Sequence, residues 1–557
     1  MKPFEIGLTL TGSVSAGAYT AGVIDFLLEA LDEWEKKKQA NQDEFGNDYN
    51  QWDVPWHSVV ITGLSGASGG GVTCGLLLNT IGKQIVPVKT PPKDIQVQND
   101  LYETWVNQLG VDELTDLSDL QGTSIKSLLN SNSIVKIADN TLKPGQFGNQ
   151  IKRNYIANNL KAIITVTNLR GIPYWLKTTG IGANTVIYKR HTDYLKFELS
   201  NNDVKMFSDT VLVPYNMNNP LFPKGYAQLK AACLATCAFP AAFRARPVTQ
   251  NESLYALRGN AGSLAIPKNA DYEFLCGDGG ILNTNPFELL HQDMLLADKD
   301  HNPGTGSDVS RSIIIVAPLE TDTIDQDKYD VTRDNLLDVV IPTIAAIRGE
   351  AIFTDEQIAL ALNDDIYSRF IIAPVRYDKD DTPVTPPITG TTVNTFGAFL
   401  SKNFREHDYF LGRRNAQQFL RKNFAIKLDE IIQNPIFTPL NIDKNRVKFK
   451  NHIFFETKRN KATGQDVSIE YFCIIPLVGE ADSLLFNPVW PTNKYNDKQI
   501  KNDVSKRIGT VIDIALASLN LPVWLNVVKF LAKSKIKSCA IDFVMKKIRD
   551  GLTQSKL

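Results

Sequence analysis

Histidine, cysteine and methionine are scarce in this chain of 557 residues, with six, six and five of them, and neither sign of charge prevails, 60 Lys and Arg standing against 61 Asp and Glu. A net charge of -1 supplies no basic footprint for nucleic acid, so none is expected as a partner. The cysteines, Cys74, Cys233, Cys237, Cys276, Cys473 and Cys539, are scattered among apolar neighbours without a C-x-x-C pair. They read as reduced core residues of a cytoplasmic protein. No His, Cys or carboxylate cluster has ligand spacing, which predicts neither metal nor cofactor. The first residues, Met1–Leu8, pass straight into a strand pattern and lack an apolar leader, so no export is expected. The apolar stretch Val511–Val528 is interrupted by Asp513, Asn520, Pro522 and Asn526, which argues against a membrane span. No internal repeat is visible.

What is present is 43% hydrophobic residues, enough for a large core. The central stretch is Ile61-Thr62-Gly63-Leu64-Ser65-Gly66-Ala67-Ser68-Gly69-Gly70-Gly71. A β-branched run, Ser58–Thr62, precedes it and an apolar run, Val72–Thr80, follows, so the pattern predicts strand, glycine-rich turn and helix. Gly66-x-Ser68-x-Gly70 on that turn has the spacing of a nucleophile elbow, in which glycines remove the Cβ atoms that would clash and the serine oxygen stands clear. The other reading of the same residues is a glycine-rich βα turn with a buried or capping serine.

Along the chain, Glu5–Leu10 reads as a first strand and Ala18–Trp34 as a first helix. The loop between them places Gly12 and Gly17 at phosphate-loop spacing, but Ala18-Tyr19 stand where Lys and Ser/Thr are required, so that reading is rejected. Gln39–Trp56 is expected to be a surface connection. Residues from about 81 to 158 lose strong patterning and read as an insertion, a lid over the site. Ala162–Asn168, Tyr194–Leu199, Phe274–Cys276, Ile313–Ala317 and Phe370–Ala373 are expected strands. Helices are expected at Tyr226–Ala238, around Leu336–Leu362, and at Phe404–Lys422, the last with a basic face that includes Arg413 and Arg414. Val447–Phe455 and Ser468–Ile475 suit two further strands, and Asp503–Leu557 is strongly helical. The division expected is residues 1–428, a hydrolase domain with the insertion, and 429–557, an accessory region of two strands and amphipathic helices.

Serine hydrolysis needs a nucleophile, a base and oxyanion donors. Ser68 is the candidate nucleophile. His57, His191, His291, His301, His407 and His452 show no convincing motif and read as surface or packing residues. Asp278, followed by Gly279 and Gly280 after an apolar strand, is the better candidate base, its other reading being a turn-forming Asp-Gly. Oxyanion donors are placed in the loop Gly12, Ser13 and Val14.

Gly17-Ala18-Tyr19-Thr20-Ala21-Gly22-Val23, Gly66-Ala67-Ser68-Gly69-Gly70, Ala235-Thr236-Cys237-Ala238-Phe239-Pro240-Ala241-Ala242-Phe243 and Asp278-Gly279-Gly280 occur in the order seen in patatin-like phospholipases. Over roughly residues 5–320 the chain resembles that family. The resemblance implies a three-layer α/β/α fold, with insertions and a helical C-terminal region here. It also implies a Ser–Asp dyad of Ser68 and Asp278, and hydrolysis of phospholipid or other acyl esters through an acyl-enzyme. The family's loop has a run of glycines and then an arginine before the last glycine, whereas this chain has Gly12-Ser13-Val14-Ser15-Ala16-Gly17. Val14 resists positive φ and Ala16 carries no charge. Either the loop donates its amides in another conformation or the oxyanion hole is crippled.

The expected function is therefore a lipid acyl-ester hydrolase of phospholipase A or lysophospholipase type, cytoplasmic and peripheral at the inner membrane surface. The alternatives are a weak or inactive member that binds lipid or protein, and a soluble esterase or thioesterase. Trp524, Val527, Val528 and Leu531 line one side of a helix on which Lys529, Lys533 and Lys537 follow at i, i+4. Such a helix suits an anionic membrane surface or, in the plainer reading, docks on the core with a solvated lysine face.

Overall fold

The computed structural model describes residues 2–93, 97–122, 124–142, 151–178, 185–216, 218–258, 263–297, 304–318, 343, 346–347, 349–352, 366–459, 464–518 and 523–557. The strands of the main sheet are β1 (Phe4–Leu10), β2 (Val59–Gly66), β3 (Ile156–Lys177), β4 (Thr185–Ser200), β5 (Val211–Pro214), β6 (Arg246–Asn251), β7 (Asp271–Asp278), β8 (Arg311–Val316) and β9 (Arg369–Ile372). Their order is β5-β4-β3-β2-β1-β8-β9, and β7 branches from β3 and carries β6. The centre, β3-β2-β1-β8-β9, is parallel, while β4 and β7 run antiparallel to β3.

Strands buried on both faces read as continuous apolar runs rather than alternations. Arg-Ser-Ile-Ile-Ile-Val in β8 is buried throughout. Its alternate residues serve two cores, Ile314 and Val316 with Leu8 and Leu10 on one face, Ile313 and Ile315 with Phe287 and Leu290 on the other. The first face is covered by α1 (Gly17–Phe45) and α2 (Gly69–Thr80) with later helices, the second by Phe287–Ala297. The result is the three-layer α/β/α order with a helical C-terminal region.

Helix α1 extends well past the expected Trp34, because Glu35–Phe45 is rich in Lys, Gln and Glu, which propagate a helix readily. It stops at Gly46, whose φ is +58°. The expected surface connection is thus helix as far as Phe45, and Trp52 and Trp56 beyond it are buried. Further helices are α3 (Ser131–Thr141), α4 (Phe222–Thr236), α5 (Lys402–Lys422), α6 (Asp497–Ser518) and α7 (Val523–Gln554).

Helix α5 corrects the basic-face expectation. Arg413 is buried against α1, where it pairs with Asp25 and Glu29. The two helices touch through glycines: a Cβ at Gly22 would stand 1.9 Å from the Tyr409 carbonyl oxygen, and one at Gly412 2.2 Å from that of Tyr19.

Past residue 428, β11 (Ile453–Arg459) and β12 (Asp466–Cys473) form a small antiparallel sheet with β10 (Ala425–Lys427). Residues 447–452, expected in the first of these strands, precede it, with Val447 exposed and Lys450–His452 in a 3-10 turn. Phe437, Phe449 and Phe472 join the same core as β1. Helices α6 and α7 bury Ile500, Val504, Met545 and Leu552 with Leu400 and Phe404 of the body. Lys533 and Lys537 both pair with Asp513 of α6. The side chains of Trp524, Val527, Val528, Lys529 and Leu531, and most of Leu336–Leu362, lie outside the described residues. No helix among the described residues is long and apolar enough to cross a membrane.

Candidate active site

The turn between β2 and α2 forces its central residue into an unusual backbone. Ser68 has φ +51° and ψ −127°, a conformation that costs a side-chain-bearing residue about 1–3 kcal/mol. Close packing makes the flanking glycines necessary: a Cβ at Gly66 would lie 2.6 Å from the Gly70 carbonyl oxygen, and one at Gly70 2.1 Å from that of Leu10. Ser68 is thereby held at the C-terminal edge of the sheet, just before the first turn of α2. The amides of that turn have no acceptor within the helix, and its dipole favours negative charge.

Strand β7 brings Asp278 to the same edge, Val166 of β3 being its registered partner. The Ser68 hydroxyl donates to Asp278 Oδ2 at 2.7 Å, and the Gly280 amide donates to Oδ1 at 2.7 Å. The Asp278 amide is anchored on the Ala238 carbonyl and its own carbonyl on the Thr167 hydroxyl. Ser68 and Asp278 are almost wholly buried. Gly280 closes the far side, since a Cβ there would come within 3.5 Å of Ser68 Cβ and 3.0 Å of Asp278 Oδ1.

The loop Gly12–Val14 lies against this pair. The Gly12 amide, expected to be a donor to the site, donates instead to the Thr284 carbonyl at 2.9 Å. The amides of Ser13 and Val14 find no acceptor among the described residues, and the buried Ser13 hydroxyl has no partner either. Ser15 fixes the loop from behind: its amide donates to Thr395, its hydroxyl to Gly390, and it accepts from the Ala398 amide. That supporting segment includes Val393, Asn394 and Thr395, all with positive φ, a left-handed turn without glycine.

Two further residues, Thr236 and Thr284, hold the site through contacts that no local pattern in the sequence marks. Thr236, at the end of α4, accepts the Ser68 amide on Oγ1 at 2.8 Å, and the Thr284 carbonyl occupies the Gly12 amide. Thr236 sits in a recognisable motif, Ala235–Phe243, but nothing local marks its hydroxyl as the serine's partner.

A cavity opens from Ser68 and Asp278, lined mainly by apolar side chains. Trp105, Leu109, Ile134, Ile137 and Leu142 come from the expected insertion, Leu234, Phe239 and Phe243 from the chain around the end of α4, and Phe399 from beyond β9. Cys237 also lines it, but its thiol is pushed up to about 12 by burial and then by the Asp278 charge, so it is no rival nucleophile at neutral pH. No histidine lines the cavity among the described residues. His57 is buried at the other end of the core against the Ile474 carbonyl. His407 touches Asp408, and His452 is buried in a 3-10 turn. His191 bonds the Asn168 carbonyl, His291 stacks on Phe287, and His301 lies outside the described residues. No cluster of three or more His, Cys, Asp or Glu capable of holding a metal occurs among the described residues.

The fold and geometry define an α/β/α protein with a serine–carboxylate pair at the carboxyl edge of its sheet. No family model matches the chain. The uncharacterized protein y4iI of Sinorhizobium fredii (strain NBRC 101917 / NGR234) is 28% identical to it over 539 residues, covering 88% of this chain and 73% of that protein. Among solved structures, VipD from Legionella pneumophila aligns with 100% of this chain and 91% of its own, at 13% identity and a TM-score of 0.22. A likeness that low carries no argument about fold or chemistry.

Proposed function

We propose that the chain is a lipid acyl-ester hydrolase working through Ser68 and Asp278. The observation that carries the reading is the 2.7 Å hydrogen bond from the Ser68 hydroxyl to Asp278 Oδ2 at the base of an apolar cavity. A strained serine at the cavity wall, its hydroxyl bonded to a carboxylate that a backbone amide orients, meets the geometric requirement for nucleophile and base. In the first step Ser68 Oγ adds to the ester carbonyl while its proton passes to Asp278. The alkoxide leaving group takes that proton as the tetrahedral intermediate collapses to the acyl-enzyme. Water then adds to the acyl carbon by the same route and releases the acid. The Ser13 and Val14 amides, which find no acceptor among the described residues, and the amino end of α2 are the candidate donors to the developing oxyanion. The mainly apolar walls suit an acyl chain, Thr104 and Thr141 being the hydroxyls among them besides Ser68.

The engaged Gly12 amide favours a second reading, a weak member with one donor missing. Losing such a donor typically costs about two to three orders of magnitude in rate. Release of fatty acid from phosphatidylcholine and lysophosphatidylcholine by the purified chain separates the two. Turnover that Ser68→Ala abolishes supports the hydrolase, and turnover of short soluble esters alone would place it with the esterases.

A further inference from the structure

We propose that the ribbon formed by the ends of β3 and β4 docks the protein on an anionic lipid surface by dipping its apolar collar into the bilayer. For its purpose this rests on the lipid-hydrolase reading; for its test it does not.

Position is the first support. Gly66 of β2 pairs with Ile164 of β3, and Asp278 with Val166, so the candidate site lies level with residues 164–166. Strand β3 continues past that edge to Lys177 with β4 beside it. Measured along β4, from Asp193 opposite Val166 to Thr185 opposite Lys177, eight steps at about 3.3 Å give a reach of about 26 Å. A register shift between Thr167 and Ile172, with Gly171 at φ +79°, sets the ribbon off from the sheet.

Exposure is the second. Trp175 pairs with Ile187, and Leu176 with Val186, so these cross-strand pairs point to opposite faces of the ribbon. All four are open to solvent, at 45%, 52%, 45% and 48%. A collar apolar on both faces is costly in water, and a flat protein partner covers only one face of a two-stranded ribbon. A hydrocarbon medium surrounds both.

Charge is the third. Leu169–Thr178 and Thr185–His191 contain Arg170, Lys177, Lys189 and Arg190 and no carboxylate. Lys189 stands opposite Pro173 and Arg190 opposite Ile172, on the body side of the collar. Neither forms an ion pair among the described residues. Lys177, opposite Thr185, lies on the far side of the collar, and only its flexible stem can return the ammonium to the phosphates. Two residues of strand separate Trp175 from Pro173, about 7 Å, which is the depth to which interfacial segments bury apolar groups beneath lipid phosphates. Tyr188, 53% exposed and opposite Tyr174, supplies an aromatic at the boundary.

The test is flotation of the full chain with vesicles of phosphatidylcholine alone and of phosphatidylcholine and phosphatidylglycerol in equal parts, with unchanged melting curves showing that each variant is folded. Wild type is expected to float with the mixed vesicles. Trp175→Ser with Ile187→Ser is expected to lower binding about tenfold or more, and Lys189→Glu with Arg190→Glu to abolish the preference for phosphatidylglycerol. Ser68→Ala is expected to float as wild type does, so a failure of the chemistry leaves this outcome untouched. The proposal is overturned if wild type stays with neither vesicle, or if both ribbon variants float like wild type. It is also overturned if wild type forms a concentration-dependent dimer that the ribbon variants break while no vesicle is bound, which would make the ribbon a protein interface.

Discussion

Ser68 carries both the strain and the chemistry of the proposed site, and its amide is held by a hydroxyl 168 positions away in the chain. Thr236→Val removes that acceptor while keeping the shape. A buried N–H left unpaired costs about 1–3 kcal/mol, so reaction at Ser68 is expected to slow about tenfold or more, with Thr236→Ser restoring it. Rates of serine labelling measure this, and an unchanged Thr236→Val rate would show that the elbow holds itself. Ser68 and Asp278 are legible in the sequence because each is marked locally, the one by glycines at the only spacing so sharp a turn allows, the other by the glycines after an apolar strand. Thr236, the Thr284 carbonyl and the Ser15 contacts to 390–398 are tertiary and leave no local mark. For the same reason the Gly12 amide, read as a donor, is found engaged.

Among the elements, the contact of α1 with α5 depends on two close approaches. Gly22→Ala sets a methyl against the Tyr409 backbone carbonyl, which cannot yield without the helices separating. The expected loss is about 3 kcal/mol, read as a lower urea midpoint at unchanged slope. Gly509→Ala, in α6 where the nearest foreign atom is 3.8 Å away, is expected to be neutral or to stabilise by up to about 1 kcal/mol. Equal effects at the two sites would contradict the packing described. Strands with dense β-branched runs, such as Ile313–Val316, are legible because burial on both faces selects them. The outward half of the β3–β4 ribbon is not, since its pattern of Pro, Gly and basic residues resembles a loop and only cross-strand pairing makes it sheet. Arg413 misleads for the opposite reason: charge reads as surface until its partners, Asp25 and Glu29, arrive from α1.

For the whole molecule, two buried histidines tie stability to pH. Burial lowers His57 to about 3 and His452 to about 4. Both are neutral in the folded chain, while the unfolded chain takes up protons near the usual histidine value of about 6.5. The unfolded state therefore binds more protons on acidification, and stability falls as the pH drops below about 6.5. At pH 5 the loss is about 2 kcal/mol for each histidine. Melting temperatures between pH 7 and 5 measure it; His57→Phe should flatten part of the slope, and a pH-independent melting point would contradict the burial. Both histidines lie where residues beyond 428 join the main core, His57 against Ile474, so acid should loosen that junction first.

The pairing of Ser68 with Asp278 as nucleophile and base is tested most directly by fluorophosphonate labelling, read by intact mass, of wild type, Ser68→Ala and Asp278→Asn. A single adduct is expected on wild type, none on Ser68→Ala, and slow labelling of Asp278→Asn, whose side chain still accepts the hydroxyl's hydrogen bond but cannot take its proton. A folded wild type that stays unmodified, or an adduct that survives Ser68→Ala, would contradict it.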